Sequence, residues 1–400
     1  MKKIRIDSII KRCAVSETAE NGWEGRGDMK LFEPLTINGM TLKNRIVMPA
    51  MQLQLGLTNR RARAFYLARA KGGVGAIIMC GTSVDFFIED STWGRPNGVA
   101  LFVERMRSFT DEIRQTGARI GIQLWHGNQW PAGTGETIPG AEQVAPSAKG
   151  DRRTLTVAEI ERIIQKFAQA AGTAQSAGLD FVEIHGAHGY LVCQFFSGAD
   201  NQRTDRYGGD LEGRMRFGLE LVEAMRQTVG EKFPIVYRLG AEEKRPGGVT
   251  LRQSRAFARQ LQKAGVDALD ISIGLPEGTK HMNASPGPRA KMGTYAPLAE
   301  AIKKEVTIPV MAVGRINQPE VAEAILTEGR ADWIGIARQL VADPQWPLKV
   351  SEGRSQEIVA CKSCNSCFQP LLGTRWKFGD PLCKVNPEAG REVDLDSLKE

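Results

Sequence analysis

"TVAEIERIIQKFAQAAGTAQSAG", Thr156 to Gly178, runs directly into "LDFVEIHG", Leu179 to Gly186. The first stretch repeats its apolar residues every three or four positions and closes on a glycine, the pattern of an amphipathic helix with its C-cap. The second is a short, nearly continuous apolar run. Runs of that length read as strands buried on both faces, which is how the strands of parallel sheets look.

The same alternation recurs along the chain. Before this unit lie "NRIVMPAM" (Asn44 to Met51), "VGAIIMCG" (Val74 to Gly81) and "RIGIQLWH" (Arg119 to His126). After it come "PIVYRLG" (Pro234 to Gly240), "ALDISIG" (Ala268 to Gly274), "IPVMAVG" (Ile308 to Gly314) and "DWIGIAR" (Asp332 to Arg338). Helical periodicity fills the intervals, as in "LRQSRAFARQLQKAG". Eight strand–helix units in roughly 300 residues is the arithmetic of a (β/α)8 TIM barrel; a doubly wound sheet rarely reaches eight regular units. The expected organisation is an extension over 1–28, a barrel over 29–355 and a cysteine-rich segment with a tail over 356–400.

Barrel chemistry gathers at the C-terminal ends of the strands. Those ends are polar here: Gln123 and His126, His185 and His188, Arg238, Gly314 with Arg315, and Arg338. Three of the chain's four histidines stand among them. The longest connections follow the third and fourth strands and are rich in turn formers, as loops that cover a site often are.

Composition narrows the class. The 400 residues carry 42% hydrophobic and 25% charged side chains, enough for a large core in a soluble protein. No apolar run approaches the roughly 20 residues of a membrane helix, and the opening "MKKIRIDSIIKRCAV" is a poor signal peptide, so a cytoplasmic location is expected. The net charge of +7 is spread along the chain without aromatic-interleaved basic runs, which argues against nucleic-acid binding.

"ARAKGGVG", "HGAHGYLVCQFFS…NQRTDRYGGDLEGR" and "PVMAVGRI…ADWIGIAR", in that order, resemble the old yellow enzymes, and within them the iron–sulfur branch. The resemblance extends from Leu31 to about Glu392. It implies bound FMN. Gln123 would pair with the pyrimidine edge of the isoalloxazine, where donors and acceptors alternate. Arg238 would place its charge near flavin N1 and C2=O. Pro49, Ala50 and Met51 match the segment beside the flavin, and Gly81 the close backbone approach from the second strand. Gly314, Arg315, Ala337 and Arg338 match the phosphate site after strands seven and eight.

His185 and His188 match the pair that hydrogen-bonds the carbonyl oxygen of an activated alkene, and Tyr190 the proton donor to its α carbon. Hydride would pass from flavin N5 to the β carbon. Read without the resemblance, an HxxH pair could also bind a metal, but no clustered acid completes such a site. Three departures stand out: Gln52, where Cys or Thr is frequent and where a covalent flavin would need Cys; "SGAD" in place of Ser-Pro; and "DLEGR" where Asn usually precedes Arg214.

Of seven cysteines, Cys361, Cys364 and Cys367 form C-x2-C-x2-C, and Cys383 follows at a distance. One loop wrapping three corners with a remote fourth thiolate suits a 4Fe–4S cluster. A zinc site or free thiols are the alternatives. Cys80 and Cys193 are expected to be buried packing residues, and Cys13 stands alone.

The reading is an FMN- and 4Fe–4S-dependent ene-reductase acting on a small α,β-unsaturated carbonyl compound. Its expected electron donor is a separate redox protein docking near the cluster, or NAD(P)H directly. No G-x-G-x-x-G follows a strand, and a chain cut from a longer protein is the alternative to a separate donor. The competing functions are an amine dehydrogenase or demethylase resembling trimethylamine dehydrogenase, which Gln52 disfavours, and a non-catalytic electron-transfer subunit. A homo-oligomer is left open.

Overall fold

The computed structural model describes residues 29–87, 98–126, 143–150, 152–274, 285–368 and 380–393. The extension 1–28 with Cys13, residues 127–142 of the loop after the third strand, and the stretch 369–379 before Cys383 lie outside the described residues.

Each apolar run becomes a strand. They are β1 (Ile46–Met48), β2 (Ala76–Ser83), β3 (Arg119–Trp125), β4 (Phe181–Gly186), β5 (Ile235–Gly240), β6 (Ala268–Ser272), β7 (Val310–Ala312) and β8 (Trp333–Gly335). Neighbours in sequence pair in parallel and β8 returns to β1, closing the barrel expected from the sequence.

Helices fill the crossovers: α1 (Arg60–Lys71), α2 (Gly98–Gln115), α3 (Val157–Ser176), α4 (Leu191–Phe196) and α5 (Leu211–Val229), then α6 (Leu251–Ala264), α7 (Ala296–Lys303), α8 (Pro319–Thr327), α9 (Arg338–Ala342) and α10 (Trp346–Ser351). Their starts follow local chemistry. Thr156 with Glu159 and Thr250 with Gln253 form capping boxes, each satisfying two otherwise orphaned N–H groups. Among the described residues no helix is long and apolar enough to cross a membrane.

Strand side chains alternate between two cores. Ile46, Ile77, Ile120, Val182 and Leu269 face outward into the layer shared with the helices. Val47, Ile78, Phe181, Val236, Ala268, Met311 and Trp333 fill the barrel floor. A hairpin, Leu35–Ile37 with Met40–Leu42, plugs that floor through Ile37 and Leu42. Its two-residue turn, Asn38–Gly39, has both residues at positive φ, which is why Asn-Gly stands there.

Climbing each strand by two residues from this apolar floor reaches Gln123, Glu183, Arg238 and Asp270, and one further step reaches Trp125, His185 and Ser272. The barrel interior therefore passes from apolar to charged to aromatic and imidazole on the way to its mouth.

Two boundaries differ from the sequence reading. Strand seven stops at Ala312 and strand eight at Gly335, short of Arg315 and Arg338. Pairing with the neighbouring strands ends there, and the chain turns away. Gly314 and Arg315 take left-handed φ of 107° and 56°, and Ala337 caps α9. Cys193 is buried as expected, but Cys80 is only half-buried. The register of β2 shifts between Met79 and Thr82, and the freed Cys80 N–H donates to the Tyr66 hydroxyl at 3.2 Å.

Candidate active site

A cleft of about 1170 Å³ opens at the mouth of the barrel. Its wall contains Pro49, Ala50, Met51 and Gln52 after β1, Gly81 of β2, Gln123 of β3, and His185, His188 and Tyr190 from the end of β4. Arg238 of β5, Gly314 and Arg315 after β7, and Ala337 and Arg338 after β8 complete it. Every cleft residue singled out in the sequence thus meets the others in one place. Trp125, Ser272, Tyr295, Asn317, Gln339 and Phe368 line the same cleft and were not foreseen.

The imidazole pair is held by its backbone. The His185 and His188 rings lie 5.0 Å apart, nearly perpendicular, and the Tyr190 ring is 4.8 Å from His185. Trp125 stacks edge-on against Tyr190 at 5.2 Å. His188 and Gly189 both adopt left-handed φ, of 60° and 77°, which folds the chain so that residues 185, 188 and 190 converge. The fold-back is tied twice to the end of β6 and the residue after it: His188 N–H donates to the Ile273 carbonyl at 3.1 Å, and His188 Nε2 lies 2.8 Å from Ser272 Oγ.

Below them the floor is polar. Gln123 Nε2 donates to Glu183 Oε1 at 2.7 Å, and Arg238 Nε lies 3.2 Å from Asp270 Oδ2. Burial, with the neighbouring Asp270 charge, pushes the Glu183 carboxyl up to about 8. Glu183 and Asp270 had a visible signal in sequence, since each interrupts an otherwise apolar strand, but the sequence reading did not use it. Tyr295, buried against Gly314, is pushed up to about 12 by burial, against the opposing pull of Arg338 and Arg238.

These residues suit a flat flavin with a phosphate tail. Gly81, Gly314 and Gly335 are positions where a Cβ would press on Gln123, Tyr295 and Val313, so side-chain-free backbone lines the cleft. An amide and a guanidinium sit at the floor, and two further guanidiniums stand where β7 and β8 open. Arg315 donates to the Ala290 carbonyl, and Arg338 donates to the Pro286 carbonyl at 2.8 Å.

His126, also at a strand end, is not part of this cleft wall. It is buried near Asp85 and Lys166; burial pulls it down, partly offset by Asp85.

The four candidate cysteines line a second, smaller cavity with Arg338, Val341 and Lys384. As placed, no group of three or more His, Cys, Asp or Glu side chains among the described residues comes close enough to hold a metal ion. Ser363 and Asn365 take left-handed φ of 52° and 59°, coiling the loop so that Ser363 N–H donates to Cys361 Sγ at 3.3 Å. Burial raises the Cys361 thiol and pushes Cys367 up to about 12. At Cys364 burial is outweighed by contacts from Ser366 and by Lys384, and its thiol is lowered.

The cavity adjoins the cleft. Cys361 and Arg338 border both, and Arg338 donates to Asn365 Oδ1 at 2.6 Å. Gln339 Oε1 accepts the Cys361 N–H at 2.8 Å, while its amide donates to Val359. Cys383 is carried by a strap, residues 380–393, that docks on the barrel through buried Leu382 and Ala389. Arg61 of α1 donates to the Gly390 carbonyl, and the fully buried Arg69 pairs with Glu392. Asn386 Nδ2 donates to the Val341 carbonyl of α9.

Residues 30–357 match the family model described as NADH:flavin oxidoreductase / NADH oxidase. An NADH oxidase of Thermoanaerobacter brockii is 40% identical over 392 residues, which cover 92% of this chain and 58% of that protein. A cinnamate reductase of Clostridium sporogenes is 32% identical over 404 residues, covering 92% and 59% respectively. Among solved structures, a 2-naphthoyl-CoA reductase in complex with 2-naphthoyl-CoA superposes with a TM-score of 0.81 at 28% identity, covering 91% of this chain and 58% of that one. The chain thus spans a little under three-fifths of these relatives.

Proposed function

Because this chain belongs to the NADH:flavin oxidoreductase / NADH oxidase family, we propose that its cleft binds FMN and reduces the C=C bond of an α,β-unsaturated carbonyl compound, with a 4Fe–4S cluster on Cys361, Cys364, Cys367 and Cys383. The observation that carries the reading is the convergence of His185, His188 and Tyr190 beside Gln123 and Arg238 in one cleft. The proposed substrate is an enoate, enone or enoyl thioester; similarity to a cinnamate reductase and to a 2-naphthoyl-CoA reductase supports a carboxylate or CoA-thioester group on it.

FMN held in the cleft would, once reduced, supply hydride to the β carbon. The residues of the chain do the rest. Gln123 and Arg238 would hold the pyrimidine edge, and Arg315 and Arg338, with the backbone at Gly314 and Ala337, the phosphate. His185 and His188 donate hydrogen bonds to the substrate carbonyl oxygen, polarising the alkene and stabilising the enolate-like charge that develops there. Tyr190 keeps its phenolic proton until charge reaches the α carbon and releases it there. Trp125, packed on Tyr190, limits where that phenol can point.

The cysteine cavity supports the cluster by its donor set of four thiols around one small space. The electron donor would be NAD(P)H itself or a redox protein docking beside Cys364, the one exposed thiol of the four. Anaerobic purification followed by flavin, iron and acid-labile sulfide assays tests both cofactors. One flavin with about four irons and four sulfides per chain is expected. Flavin without iron or sulfide would overturn the cluster and leave direct NAD(P)H reduction; no flavin would overturn the whole reading.

A further inference from the structure

We infer that Glu183 and Asp270 are a positioning pair sharing a single proton beneath the cleft, which fixes both the face that Gln123 presents upward and the net charge of the floor. The inference rests on the flavin reading only for its consequence; the pair itself is a property of the barrel.

The geometry demands a proton. Glu183 on β4 and Asp270 on β6 are both fully buried on inner positions of the barrel; β5 runs between them, Gln123 pairs with Glu183 and Arg238 with Asp270. Glu183 Oε2 and both Asp270 oxygens have no hydrogen-bond donor, although the two carboxyl groups are within interaction distance of one another. An ionised carboxylate can only accept, so two buried carboxylates that meet repel, whereas one proton between them converts repulsion into a hydrogen bond.

Charge counting identifies the protonated partner. The charged groups facing Glu183 are Asp270 from β6 and Arg238 from β5, and β3 contributes only the neutral Gln123 amide. One guanidinium balances one carboxylate. Arg238 takes Asp270, at 3.2 Å, so the proton resides on Glu183. Burial and the Asp270 charge push Glu183 up in the same sense, and burial raises Asp270 while Arg238 pulls it back.

Two consequences reach the cleft. With Glu183 Oε1 accepting from Gln123 Nε2, the Gln123 carbonyl is turned toward Gly81 and the cleft, as an acceptor for a ring N–H. With Glu183 neutral, the Arg238–Asp270 pair leaves the floor without net negative charge, and Arg238 can still turn N–H donors to the cleft. Ionising Glu183 adds one uncompensated negative charge beneath the cleft and weakens the hold of the floor on an electron-rich pyrimidine edge.

Neither residue lines the cleft, so the test needs readouts that a merely structural role would not move. Infrared spectra of the purified protein at neutral pH should show a protonated carboxylic-acid C=O band that disappears in Glu183→Gln. Titration of flavin-stripped protein with FMN, followed by flavin fluorescence, should show affinity constant below pH about 8 and about tenfold weaker by pH 9.5. Glu183→Gln reproduces the neutral acid, accepting from Gln123 and donating to Asp270, so it should bind FMN at pH 7 within about twofold of wild type and lose the alkaline fall. Glu183→Leu, which cannot receive Gln123, should weaken binding at every pH, with circular dichroism confirming the fold. An unchanged infrared spectrum in Glu183→Gln, or the same alkaline fall in wild type and Glu183→Gln, overturns the pair. Failure of every variant and of wild type to bind FMN would overturn the flavin reading instead, and the infrared result would still decide the pair.

Discussion

The cleft and the cysteine cavity share a wall, yet they are built differently. At the floor and rim of the cleft, side chains on or next to strand ends are held by a second strand: Gln123 by Glu183, Arg238 by Asp270, His188 by Ser272. The barrel, which buries two cores, sets these positions. The cysteine cavity is assembled from a coiled loop and a remote strap, tied to the barrel by single side chains such as Arg338, Gln339, Asn386 and Arg69. The first site is fixed by the fold, whereas the second depends on a few long-range ties and on whatever the thiols bind, since metal binding and local folding are coupled.

The largest effect should separate the two sites outright. Cys361→Ala is expected to remove essentially all iron and sulfide while leaving one flavin per chain, by the same assays as above. Loss of flavin along with the iron would show that the cleft is not independent of the cavity. Within the cleft, Tyr190→Phe should slow alkene-dependent reoxidation of the reduced protein by about 10²–10⁴-fold, with flavin content unchanged. His185→Ala and His188→Ala should cost about 10²–10³-fold each in the same stopped-flow assay, because each removes one donor to the developing oxyanion.

Smaller effects probe the ties. Arg69→Met leaves Glu392 without its partner in a nearly buried place and should destabilise the protein by about 3–5 kcal/mol in urea unfolding. The same variant should lose iron faster than flavin on incubation, because the strap carries Cys383. The smallest effect is a slope. Glu183 moves from its ordinary 4.5 up to about 8, so the native state keeps a proton that the unfolded chain releases. That contribution to stability is complete below pH about 4.5 and is lost as pH rises through about 8, and Glu183→Gln should flatten the decline.

The difference between the sites also explains what the sequence could reveal. Strands buried on both faces declare themselves as apolar runs, so all eight were legible. The ends themselves were less so: whether Arg338 finishes β8 or begins α9 depends on pairing with β1 and β7, which no local pattern encodes. Ser272 and Tyr295 reach the cleft only through the barrel's closure, so nothing in their neighbourhoods marked them. C-x2-C-x2-C was visible as spacing, because one loop can bring its three thiols near one another. The docking of Cys383 was not, since it depends on Arg61 and Arg69 meeting residues more than three hundred positions later.

The most direct measurement is anaerobic stopped-flow mixing of the reduced protein with a set of enoates, enones and enoyl thioesters, following flavin absorbance. Rapid return of the oxidised flavin band with at least one of them, slowed by Tyr190→Phe and by His185→Ala, is the expected result. A flavin that stays reduced with every unsaturated carbonyl, yet reoxidises in oxygen, would contradict alkene reduction at this cleft.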